Sequence, residues 1–149
     1  MPHTIVYNPE LRIVESRLIG DMTLGEVDEL IAKTAKIAKE KECYLIFTDF
    51  REVSQKLSIL QIYQLPDRIK NIFTSFGVNI SHFKRANVVA NDLKEYIFHE
   101  NVMVNRGQIE KVFTDIDEAK KWLIGKWHRS TKSAGCSHDE YYLLKEKRS

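Results

Sequence analysis

Asp49 and Arg51 stand two residues apart at the end of an apolar run, in Cys43-Tyr-Leu-Ile-Phe-Thr-Asp-Phe-Arg-Glu-Val-Ser54. A carboxylate and a guanidinium at that spacing share one side of a strand, if the strand continues through them. They can hold a polar ligand between them, or pair with each other and fix a loop, and the ion pair is the favoured expectation. The run reads as a buried strand leading into a polar corner. In α/β folds the carboxyl end of such a strand is where ligands and partners are met. Neither residue has a nucleophile or base beside it in sequence. Just beyond, Ser58-Ile-Leu-Gln61 has the spacing of a capping box, which gives Ser58 a purely structural task at a helix start.

The remaining reactive side chains assemble into nothing comparable. His99-Glu100 lies on an expected helix with no second histidine three or four residues away, so the zinc-protease spacing is not met. Cys136-Ser-His138 is too sparse for a structural zinc site, and His82 and His128 stand alone. Gly20, Gly25, Gly77, Gly107, Gly125 and Gly135 are scattered, with no phosphate-cradling loop and no Gly-x-Ser-x-Gly elbow. The expectation is a non-enzymatic chain with no cofactor and no metal. Lys84-Arg85 and Lys120-Lys121 read as solvated charges and not as a nucleic-acid surface.

The elements that must carry these residues follow from periodicity. Ile5–Tyr7, a turn at Asn8-Pro9-Glu10, and Leu11–Ile19 read as an antiparallel hairpin ended by Gly20-Asp21. Thr23-Leu-Gly-Glu26 predicts a capping box and a helix over 24–41, with Val27, Leu30, Ile31, Thr34, Ala35 and Ala38 inward. Cys43–Thr48 is short and continuously apolar, as in a strand covered on both faces. The stripe Ile59, Ile62, Leu65, Ile69, Ile72, Phe73 and Phe76 predicts a helix that Pro66 kinks or divides. A strand at Arg85–Ala90, a helix from Asp92 closed by Gly107, a strand at Lys111–Thr114 and a helix opened by Asp115 complete the order. That rhythm is α/β, with a four- to five-stranded mixed sheet and about four helices.

Composition narrows the class. The chain has 149 residues, 43% hydrophobic and 30% charged, enough for one domain and ordinary for a globular protein. Its net charge of +2 sits in the segment after Trp127 and does not argue for nucleic acid. No apolar run is long enough to span a bilayer. Cys43 in an apolar strand and Cys136 in a polar tail form no disulfide framework, which fits a reducing cytoplasm, with Cys43 a core thiol. The expected organisation is a domain over 1–127 and a partly flexible extension over 128–149. Aromatic and aliphatic residues around the third helix are core, or leave an apolar pocket or patch beside the helix that contains Pro66.

The Cys43–Asp49 strand with the Ser58-led helix, Arg85–Ala90, Asn105-Arg-Gly107, Val112–Asp115, Asp117-Glu-Ala119 and Trp122-Leu123 together resemble the STAS domain. The likeness is to small bacterial proteins related to anti-sigma factor antagonists, and spans roughly 4–125. The CRAL-TRIO lipid-binding fold is similar at this level. The resemblance implies a regulatory module acting through a protein partner, with Asp49, Arg51, Ser54 and Ser58 as the docking corner; a homodimer is left open. In the antagonists a serine at this helix start is phosphorylated, within an Asp-Ser-Ser-Gly-like motif. Ser58 occupies the position, and Ser54 is a weaker candidate, but Gln55-Lys-Leu57 precedes Ser58 and no Ser-Gly follows. The fold therefore carries over more readily than the switch. The alternative is a small apolar-ligand or lipid-binding protein of CRAL-TRIO-like fold.

Overall fold

The computed structural model describes residues 3–90 and 93–125. Five strands form one sheet in the order β1-β2-β3-β4-β5: β1 His3–Asn8, β2 Ile13–Met22, β3 Leu45–Gln55, β4 Lys84–Val88 and β5 Ile109–Phe113. The β1–β2 pair is antiparallel and all later pairs are parallel, so the sheet is mixed with one antiparallel edge. Helices α1 Leu24–Lys41, α2 Ile59–Ser75 and α3 Leu93–Asn105 make the crossovers, and α4 Ile116–Ile124 follows β5. Neighbouring strands joined by right-handed crossovers in one direction put α1, α2 and α3 on one face. Along β3, Ile46 and Thr48 face those helices, while the Phe47 ring lies 5.2 Å from Lys120 Nζ of α4. Helix α4 therefore covers the opposite face. The α/β class, strand number and helix number match the expectation from sequence.

Several local expectations are corrected. β3 does not stop at a corner after Thr48 but runs to Gln55, so Asp49, Arg51 and Ser54 all lie within the strand. The reason is β2, which continues past Gly20-Asp21 to Met22 and supplies the ladder for the end of β3. The register steps from Arg17↔Asp49 to Ile19↔Glu52, leaving one extra residue in β3, a bulge. Thr23 stands at the α1 N-cap without a side-chain cap bond; its carbonyl still accepts from Val27 N at 3.0 Å. Helix α2 passes through Pro66 as one helix and not two. Cys43 precedes β3 and is fully buried.

The helix layer is held by hydrophobic burial and by two ion pairs on its outside. Arg68 of α2 meets Asp28 of α1 at 2.6 Å and 2.7 Å, and Arg106, just after α3, meets Asp67 of α2. Half-exposed pairs of this kind contribute at most about 1 kcal/mol each. No helix of the described residues is long and apolar enough to cross a membrane. The extension over 128–149 with His128, Cys136 and His138, and the expected cap residue Asp92, lie outside the described residues.

Candidate functional site

β4 is a central strand, covered on both faces, so each of its side chains must enter a protein interior. Lys84 and Arg85 do so, and their reading as solvated charges is corrected: they are 8% and 9% exposed. Lys84 faces α4, where its ammonium lies 4.4 Å from the Trp122 ring centroid and donates to the Trp122 carbonyl. Arg85 faces α1–α3. Its partner on β5 is Glu110, register neighbour across the parallel ladder, with Nη2 3.3 Å from Oε1. The same Nη2 donates to Gln108 Oε1 at 2.6 Å, and Gln108 Nε2 donates to the Pro66 carbonyl at 2.8 Å. A polar chain thus runs from α2 through the β5 start into the ion pair.

This chain borders a cavity of about 100 Å³ between the sheet and α1–α3. Ile31 of α1, Ile46 of β3, Leu65 and Ile69 of α2 and Met103 of α3 give it an apolar wall. Arg85, Glu110, Asn87 and His99 give it one polar side. It lies beside the Pro66-containing helix and α3, where the sequence leaves open a filled core, an apolar pocket or a surface patch. Burial pushes the Glu110 carboxyl up, partly offset by Arg85, and burial pushes Arg85 down, partly offset by Glu110. Burial also lowers His99 to about 4, so its imidazole is neutral near physiological pH. A mainly apolar pocket with a few convergent polar groups is suited to holding a small molecule.

The residues proposed from sequence lie elsewhere. Asp49 and Arg51 pair as expected of an internal ion pair: Arg51 Nε and Nη2 reach the two carboxylate oxygens at 3.0 Å and 2.9 Å, and Arg51 N adds a bond of 3.0 Å. Burial works to raise the Asp49 carboxyl, but these bonds from Arg51 outweigh it and hold the group below the usual carboxylate range. The bulge brings Glu52 to the same side, where Arg17 meets it at 2.8 Å and Asp49 at 3.9 Å. Ser54 is exposed, paired in register with Asp21. Ser58 caps α2: its Oγ accepts from Gln61 N at 3.1 Å, and Gln61 Oε1 accepts from Ser58 N at 2.9 Å. Next to it Ile59, Leu60 and Tyr63 are 67%, 66% and 53% exposed, with Tyr63 edge-on to Phe98 at 5.4 Å.

The Arg85–Glu110 pair is not visible from sequence, where the last strand is expected from Lys111, two residues after its start at Ile109. From sequence His99 suggests a metal ligand or a general base, and not a cavity wall. A basic pair placed inside an otherwise apolar parallel strand was the available signal, since such a strand has no wet face.

The chain matches no family model and no curated protein. Among solved structures it is similar to an uncharacterized protein of the DUF3478 family with a SpoIIAA-like fold from Shewanella loihica PV-4, at 16% identity and a TM-score of 0.48. That match covers 82% of this chain and 92% of the other. The likeness is one of fold alone.

Proposed function

We propose that the chain is a binding module that holds a small, mainly apolar molecule between its sheet and α1–α3. The observation that supports this reading is the cavity bounded by Ile69, Met103 and the Arg85–Glu110 pair. Its volume of about 100 Å³ suits one ring or a short chain, and not a long acyl chain. Benzene is the probe: a ligand that binds the folded state alone raises its apparent stability as its concentration exceeds Kd. The expected result is a saturable rise in the thermal unfolding midpoint of the wild type that Ile69→Phe, which fills the space, abolishes. A midpoint that stays flat in the wild type contradicts the reading.

A second reading keeps the regulatory role implied by the STAS resemblance, with a protein partner docking on the start of α2. It is favoured by the exposed Ile59, Leu60 and Tyr63 beside Ser58. Apolar side chains gathered on a surface commonly mark an interaction site. Ser58→Asp and Leu60→Asp should both weaken capture of a partner from cell extract; equal capture by all three proteins counts against it. In this reading Asp49 and Arg51 stiffen the strand that leads to the docking surface.

A further inference from the structure

Two buried polar atoms on residues that line the cavity, Arg85 Nε and His99 Nε2, have no hydrogen-bond partner among the described residues. Arg85 directs Nη2 to Gln108 and Glu110, which leaves Nε–H unspent. His99 is 6% exposed and its ring stacks on Tyr96 at 5.4 Å. A buried donor or acceptor left unpaired is destabilising, so a ligand that pairs with both gains over one that only fills space. We propose that the cavity takes a neutral small molecule with an apolar body and one hydroxyl, which accepts from Arg85 Nε–H and shares a hydrogen bond with His99 Nε2. The proposal rests on the reading of the cavity as a ligand site.

Charge argues for neutrality. Arg85 and Glu110 already compensate each other on the cavity wall, so an anion or a cation would enter with no counter-charge. The other basic residue of β4, Lys84, faces α4 on the far side of the sheet. The hydroxyl follows from donor and acceptor roles. Arg85 only donates, whereas a neutral imidazole Nε2 donates or accepts according to its tautomer. A hydroxyl carries one donor and two acceptor lone pairs, and so satisfies Arg85 with either tautomer of His99.

Calorimetric titrations of the full chain with benzene, phenol and benzoate at neutral pH test this. Phenol is expected to bind roughly tenfold tighter than benzene, and benzoate no tighter than benzene. His99→Leu should reduce the advantage of phenol over benzene several-fold, because only Arg85 Nε–H is then left to pair with the hydroxyl. The wild-type comparison stands without the variant. Phenol binding no tighter than benzene, benzoate binding tighter than phenol, or a phenol advantage undiminished in His99→Leu overturns the proposal and leaves the cavity reading intact. Failure of all three probes to bind overturns both.

Discussion

Arg85 on β4 and Glu110 on β5 are direct partners across a parallel ladder, and their side chains meet at 3.3 Å with both residues almost wholly withdrawn from water. Removing one charge of such a pair strands the other. Glu110→Gln is expected to destabilise the fold by about 3–5 kcal/mol, because Arg85 remains charged and uncompensated. Replacing both, as Arg85→Met with Glu110→Leu, should recover most of that loss. Urea denaturation of Arg85→Met, Glu110→Leu and the double variant measures the coupling.

His99 imposes a pH dependence of known sign. Its folded pKa of about 4 lies below the ordinary 6.5, so the unfolded chain binds the proton more readily. The stability it contributes is fully present above about pH 6.5 and is lost progressively as pH falls towards 4, up to about 3 kcal/mol. Arg85 and Glu110 border the same cavity, and Glu110, raised by burial, acts in the opposite sense over an overlapping range. The informative quantity is therefore the difference between the wild type and His99→Gln. That difference should shrink on acidification between about pH 6.5 and 4.

The Asp49–Arg51 pair acts in more acidic solution. Asp49 is held below its usual pKa, so its contribution is present above the unfolded value and lost as pH falls through the folded one. Arg51→Ala removes the guanidinium and should move the acid unfolding midpoint to higher pH. An acid titration followed by circular dichroism reads this directly.

Ser58→Ala removes the hydroxyl of a complete capping box and should cost about 1 kcal/mol. Ser58→Asp retains a good cap and places a negative charge at the helix start, so its stability should stay close to that of the wild type. Any loss of partner capture by Ser58→Asp is then a surface effect and not unfolding. Thermal melts of the three proteins check this.

Much of the fold was legible because its signals are local. The α1 stripe from Val27 to Ala38, the Ser58–Gln61 box and the Asp115 cap each declare themselves within a few residues. The length of β3 was not, because residues 52–55 are strand through pairing with Ile19–Met22, a partner 33 residues away. The site was hidden for the same reason. Arg85, His99 and Glu110 come from two strands and a helix, and only the crossovers bring them to one cavity. Asp49 and Arg51, two residues apart, were visible as a pair. The bulge that gives their side Glu52 as well was not.

The most direct measurement of the central claim is a methyl-resolved NMR titration of the full chain with benzene. Saturable shifts confined to the methyls that line the cavity, Ile31, Ile46, Leu65, Ile69 and Met103 among them, and lost in Ile69→Phe, are the predicted result. Shifts scattered over the exposed Ile59 and Leu60, or none at all, would contradict it.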